Sequence, residues 1–382
     1  MKILMIPSWY ATEDKPMSGI FFKEQAAALG AAGCEVRVVY PDLRFRLGGL
    51  RRGMFDAPGE PPCLILRRRT LTPFIERGRW PQRTKMLREL YKEALARWGR
   101  PDIVQLQSCR MGIETLSLCR EQGLPLVYTE HYSGVMRDCS GALAAEFTRT
   151  LLGCDRALAV SSCLRDKMMP LRPDASVVPN LIDTSRFVPA PPPGGEFTFA
   201  AMGNLVRVKR YDLLIRAFAL ARSGLDGARL VIAGEGPLRG ELEALIRSLG
   251  AGGKITLAGA VGRADVPAFF ARANCVVCSS ELETFGMTLI EALACGRPVV
   301  STDCGGPRDI VTPSCGILVR PGSAQALAAA LRDMRGGYSR YDPQALSHSC
   351  GEKFGAARVA GRLADIYGET AENYRRRTSA NG

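Results

Sequence analysis

Two glutamates eight positions apart, Glu283 and Glu291, are the residues of this chain whose type and spacing most directly suggest chemistry. They sit in SSELETFGMTLIEALACGRP, where an apolar strand ends near Ser280 and a helix starts at Gly286 or Met287. The first N–H groups of such a helix, from Gly286 through Met287, Thr288 and Leu289, form a cradle for phosphate oxygens, with Phe285 beside them in the donor-binding set. Glu291 lies just over one turn inside the helix. A carboxylate there suits the neutral hydroxyls of a ribose, and Glu283 on the preceding loop would face a sugar beyond the phosphates. By type and spacing alone, both glutamates also serve simply as favourable charges near a helix N-terminus. Two cations, Arg207 and Lys209, follow the strand FTFAAMG and could neutralise a diphosphate; for Arg207 a merely solvated loop position is the other reading.

Three more positions complete the candidate set. Histidine occurs only at His131 and His348. His131 closes the apolar strand LPLVYTE, where a ligand-facing or a structural role is open, whereas His348 lies in a polar segment without further chemistry. Gly19 precedes the first helix, either as a turn glycine or as a point of close backbone approach to a leaving diphosphate. Val261 follows KITLAG and could pack on a nucleobase, while the turn Thr302 to Gly306 reads as structural. No Asp-x-Asp or histidine-rich ligand set is written in the chain, so the expected cofactor set is empty and leaving-group charge falls to Lys209, Arg207 and the helix N-terminus.

The same stretch resembles the donor-site signature of family 4 glycosyltransferases: Glu283-x7-Glu291, then Ala-Leu-Ala-Cys-Gly-Arg-Pro-Val-Val and Gly305-Gly306-Pro307. The likeness extends to Pro7-Ser8-Trp9-Tyr10, Ser18 to Gln25, Val178-Pro179-Asn180, Gly203 with Lys209, and Gly234-Glu-Gly-Pro237. It implies a GT-B fold, a nucleotide-sugar donor such as a UDP-hexose, and transfer with retention to a saccharide or lipid-linked saccharide. It assigns Glu283 and His131 to the reacting sugar and Lys209 to the diphosphate. The family's usual basic residue after the glycine is replaced by Asn204, and its glycine after the lysine by Arg210; Arg207 is the candidate for the displaced cation. A nucleotide-sugar epimerase on the same fold and a non-catalytic nucleotide-sugar-binding regulator are the alternatives.

These residues need scaffolds that end strands at a ligand. Apolar runs alternate with helical patterns along the 382 residues, which predicts α/β architecture with parallel sheets. Pro189 to Gly195, with three consecutive prolines, reads as a linker. The expected organisation is a Rossmann-like acceptor-side domain over 1–188, the linker at 189–195, a donor domain over 196–350, and a helical segment over 351–382 crossing back to the first domain. In open parallel sheets ligands sit at the carboxyl ends of strands.

Composition excludes less than it permits. Hydrophobic residues at 46% and charged residues at 23% are those of a globular protein. No apolar run nears the roughly 18–20 residues of a membrane span, and the N-terminus reads as a buried strand, so a cytoplasmic address is expected. Thirteen scattered cysteines agree with it; Cys275 and Cys278 match C-x-x-C but fall in a strand, where they point to opposite faces. The net charge of +13 concentrates between Arg44 and Arg100, which hold 15 Lys or Arg against 5 Asp or Glu. Arg51, Arg52, Arg67, Arg68, Arg69, Arg77, Arg79 and Arg83 lead that segment, with Trp80 and Trp98 among them. It reads either as a solvated face or as contact with an anionic membrane or acceptor, at about 1 kcal/mol per cation near such a surface. Nucleic acid is not an expected partner, because no binding motif accompanies the charge.

Overall fold

In the computed structural model, which describes residues 1–71 and 76–380 with the side chains of 76–79 set aside, the chain divides into two units. The first comprises Met1–Leu181 and Ala356–Gly382, and the second Ile182–Gly355. The first unit boundary thus falls seven residues before the Pro/Gly segment expected as a linker. That segment belongs to the second unit because the buried Arg297 guanidinium donates to the carbonyls of Ala190 (3.0 Å) and Pro191 (2.7 Å). The return boundary lies at 355/356 rather than 350/351.

The first unit is built on strands β1 (Lys2–Pro7), β2 (Glu35–Arg44), β3 (Gly53–Ala57), β4 (Cys63–Arg69), β5 (Ile103–Gln107), β6 (Leu126–Glu130), β7 (Arg156–Ala159) and β8 (Ser176–Val177). They form one sheet in the order β3-β4-β2-β1-β5-β6-β7-β8. All pairs are parallel except β3 with β4. β1, β5 and β6 are buried almost throughout, as strands covered on both faces must be. The C-terminal helix Ala356–Ala380 completes this unit: Val359, Leu363 and Tyr367, spaced to share one face, join Ile3, Met5, Phe22 and Leu29 in the core.

The second unit holds β9 (Phe197–Met202), β10 (Ala228–Ala233), β11 (Ile255–Gly259), β12 (Cys275–Cys278), β13 (Val299–Thr302) and β14 (Gly316–Val319). Its order is β11-β10-β9-β12-β13-β14, parallel throughout. The order reverses between β9 and β12, and such a switch point is where the strand-end loops part to admit a ligand.

The basic segment divides into cations paired within the unit and cations exposed at its surface. Arg67 is fully buried on β4, donating to Asp42 (2.6 Å) and to Glu13 (2.5 Å). Arg83 pairs with the buried Glu114 (2.5 Å) and Glu146 (3.3 Å), and the Trp80 indole donates to Glu146 at 2.7 Å. Arg44, Arg68, Arg88 and Arg97 also have carboxylate partners. Arg67, Arg83 and Trp80 are therefore structural, because acidic residues elsewhere in the unit take up their polar groups. Arg46, Arg51, Arg52 and Arg69 are exposed, beside exposed Phe45 and Leu71. The side chains of Arg77 and Arg79 lie outside the described residues. Among the described residues no helix is long and apolar enough to cross a membrane.

Candidate functional site

The second unit gathers most of the candidate residues at its strand ends. After β9 the chain makes a short 3-10 turn, Arg207–Lys209, and after β12 it runs through Ser279 to Gly286. The two loops are laced together: Glu281 N–H donates to Val208 O (2.8 Å) and Ser279 Oγ to Lys209 O (2.8 Å). This brings Lys209 Nζ to 2.5 Å from Glu283 Oε1, which also accepts from Ser280 Oγ at 2.7 Å. Burial alone would lower the Lys209 ammonium, but the Glu283 carboxylate outweighs it and holds the pKa above the ordinary lysine value. Glu283 is further fixed by its backbone, with its N–H bonded to Cys304 O (3.1 Å) and its carbonyl accepting from Gly306 N–H (2.8 Å). Lys209 is thus a charged group held at a fixed place, not a mobile surface lysine. Arg207, in contrast, is exposed on the same turn.

The helix Met287–Ala294 starts from Gly286, whose φ of +115° is open to glycine and strained for other residues. The phosphate cradle is shorter than expected. Leu289 N–H is already bonded to Gly286 O at 3.0 Å, so Gly286, Met287 and Thr288 are the N–H groups to consider. Phe285 contributes backbone only, since its ring is buried edge-on against Phe354 with centroids 5.7 Å apart. Glu291 is almost fully buried and pairs with Arg263, which follows Val261 on the loop after β11 and also lies over the Phe187 ring. Val261 is half-buried. Arg263 was not foreseen; its place two residues beyond Val261 carries no local signal of a partner 28 positions away.

Cys278, at the end of β12, also differs from the expected inert strand cysteine. Its thiol is hydrogen-bonded to Ser280 Oγ (3.5 Å) and to Glu283 Oε1 (3.9 Å), and interaction with the Cys304 thiol lowers its pKa from the ordinary cysteine value. Cys275 is pushed up by burial, as expected of an apolar strand.

The other two candidates lie in the first unit. Gly19 caps the helix Ile20–Ala31 at φ +67°, and a Cβ there would come within 2.9 Å of the Trp9 carbonyl and the Phe22 ring, so the local backbone by itself requires glycine. His131 directly follows β6 and is buried against Phe21 and Phe22, with ring centroids at 5.4 and 5.0 Å. Burial pushes its pKa down to about 3, so the ring is neutral at physiological pH. Glu130 anchors this corner: it accepts from the N–H groups of His131 (2.8 Å) and Tyr132 (2.7 Å), and from Ser108 Oγ and Tyr128 OH. Among the described residues no group of three or more His, Cys, Asp or Glu side chains could hold a metal ion.

The strand ends, the helix start and the fixed lysine lie together in the second unit, and comparison with known proteins decides the family. Residues 18–186 match the model described as Glycosyltransferase Family 4, and residues 184–337 match Glycosyl transferases group 1. The chain belongs to the family 4 glycosyltransferases. It is 28% identical to D-inositol 3-phosphate glycosyltransferase 1 of Catenulispora acidiphila, over 91% of this chain and 93% of that protein. Sucrose-phosphate synthase from Thermosynechococcus elongatus shares the fold at a TM-score of 0.77 and 19% identity, over 97% and 98% of the two chains. Anabaena HepE, solved with UDP and glucose, does so at 0.76 and 18%, over 97% and 100%. The fold of this glycosyltransferase is therefore GT-B, and its activity is glycosyl transfer from a nucleotide sugar.

Proposed function

We propose that this enzyme transfers a hexose from a UDP-hexose, with retention and without a metal cofactor, to a saccharide or lipid-linked saccharide acceptor. The observation that carries this reading is the Lys209–Glu283 pair set beside the start of helix Met287–Ala294. In this scheme Lys209 and the N–H groups of Gly286, Met287 and Thr288 stabilise the departing diphosphate, with Arg207 free to reach it from the same turn. Glu283 orients the sugar, Glu291 shares its carboxylate between Arg263 and the ribose, Val261 packs on the base, the Gly19 backbone approaches the leaving diphosphate, and His131 meets the sugar. The acceptor hydroxyl enters on the face the diphosphate leaves, and a phosphate oxygen takes its proton. No protein base is then required.

The UDP and glucose bound by HepE make UDP-glucose the first donor to test, and the inositol phosphate named for the Catenulispora relative belongs in the acceptor panel. Thermal stabilisation by nucleotide sugars identifies the donor, since a ligand at 100 times its Kd adds about 2.7 kcal/mol. Product anomeric configuration read by NMR tests retention, and turnover unchanged by EDTA tests metal independence. An inverted product, or activity lost to EDTA and restored by Mg²⁺ or Mn²⁺, overturns the scheme.

A cytoplasmic protein that visits the anionic inner face of a membrane fits the exposed cations Arg46, Arg51, Arg52 and Arg69 beside Phe45 and Leu71. Vesicle sedimentation checks this. Binding should need anionic lipid and weaken with salt, because screening acts over about 8 Å at physiological ionic strength; equal partitioning onto neutral vesicles removes the membrane from the proposal.

A further inference from the structure

A chain of three buried glutamines ends on His131 through Gln107. Its Nε2 lies 2.6 Å from Gln107 Oε1. The Gln107 amide nitrogen donates to Gln25 Oε1, and the Gln105 amide nitrogen donates to the same oxygen at 2.9 Å. All three side chains are buried, on β5 and on the helix Ile20–Ala31. We infer that Gln25, Gln105 and Gln107 lock His131 in the Nε2–H tautomer, so that Nδ1 is presented as a bare acceptor for a hydroxyl of the bound sugar.

The bonding arithmetic supports this direction. With its nitrogen spent on Gln25, Gln107 can offer His131 only an oxygen, and two acceptors do not bond, so the proton must sit on Nε2. A neutral ring carries one N–H, which leaves a lone pair on Nδ1. Nδ1 is buried without a partner, and the other orphan of the chain of amides is Gln105 Oε1. Reversing all three amides would leave buried N–H groups orphaned at the same two places. Orphaned buried donors are rarer than orphaned acceptors, so the observed polarity is the cheaper one. The rings of Phe21 and Phe22 beside the imidazole offer Nδ1 no donor. A hydroxyl fits the vacancy and an anion does not. Glu130, the nearest carboxylate in sequence, is occupied by backbone N–H and hydroxyl donors and fixes the backbone of His131. Gln107 is thus a positioning residue, acting through His131. The hydroxyl contact rests on the reading of His131 as a sugar-side residue; the tautomer does not.

Ring-¹⁵N histidine labelling of the whole enzyme tests the tautomer without mutation, because the chain has only two histidines and His131→Phe assigns the signals. The expected spectrum has a protonated Nε2 and an unprotonated Nδ1 for His131; a protonated Nδ1, or rapid exchange between tautomers, overturns the inference. Gln107→Glu provides the functional arm. The new carboxylate still accepts from Nε2–H but favours the doubly protonated ring, so Nδ1 becomes a donor. Turnover should fall about tenfold near neutral pH, the kinetic scale of about one hydrogen bond, with UDP affinity unchanged. It should recover as pH rises and the ring loses its second proton, and the same proton should be visible in the ¹⁵N spectrum. A pH-independent loss contradicts the positioning role. If the Nε2–H tautomer is found yet His131→Phe turns over at the parent rate, the lock stands and the sugar-side reading fails.

Discussion

The two units bury polar groups in opposite ways. The first unit pairs its ions off within the scaffold, Arg67 with Asp42 and Glu13 and Arg83 with Glu114 and Glu146, and leaves neutral amides and a neutral imidazole around His131. The second unit puts its two most buried ion pairs on the loops and the helix that follow its strands, Lys209 with Glu283 and Arg263 with Glu291. In the proposed scheme the region that meets the diphosphate uses fixed charges, and the region that orients hydroxyls uses directional acceptors that stay uncharged. The difference teaches that one fold repeated twice in a chain can divide electrostatics from positioning.

That division can be broken by charge reversal in the first unit. Arg67→Glu should cost about 3–5 kcal/mol of stability, the scale of an uncompensated buried charge; denaturant unfolding measures it, and a neutral effect would mean that these ions are not structural. In the second unit, Lys209→Ala should weaken UDP binding by roughly 1.5–3 kcal/mol, the scale of a hydrogen bond to a charged group, and uridine binding far less. Equal losses in calorimetry would contradict a phosphate role. Glu291→Ala, which also strands Arg263, should weaken nucleotide binding by roughly 1.5–3 kcal/mol, and an unchanged affinity in a folded variant would remove it from the ribose site.

A smaller effect sharpens the neutral side of the comparison. The His131 pKa is depressed from 6.5 to about 3 in the folded protein, so between those values the unfolded chain binds more protons. Its contribution to stability is complete above about pH 6.5 and is lost as pH falls toward 3. The stability difference between parent and His131→Phe, followed by urea unfolding from pH 7 to 4.5, should therefore shift against the parent on acidification. Taking the difference cancels the opposite trend of Glu114, whose burial raises its pKa. A pH-independent difference would mean that the imidazole is solvated. The smallest effect belongs to Arg69→Glu, next but one to Arg67 and exposed, which should change stability by less than about 0.5 kcal/mol.

Strand alternation and the Glu283–Glu291 loop made both sheets and the donor side legible from the sequence, because those signals are local. The misreadings are all of distance. CLILRRR looks like a surface run, yet it is β4, and Arg67 is buried because its partners stand 25 and 54 positions away. Gln25 and Gln107 are separated by 82 positions and carry no pattern as neutral amides. A helix start can be read from sequence to within a residue or two, whereas the bond that Leu289 N–H makes to Gly286 O depends on local geometry. The prolines at 191–193 suggested a boundary, but the clamp from Arg297 is over a hundred positions distant.

The first unit is finished by the last part of the chain. Val359, Leu363 and Tyr367 enter its core from a helix that begins at Ala356, after all of the second unit has been laid down. During synthesis, which proceeds at about 5–20 residues per second, the second unit is complete while one face of the first still lacks its covering helix. For the roughly 9 to 35 seconds spent making the intervening residues, Ile3, Met5 and Phe22 lack part of their native cover. The core of the first unit therefore closes only when a helix made after the second unit docks against strands made before it.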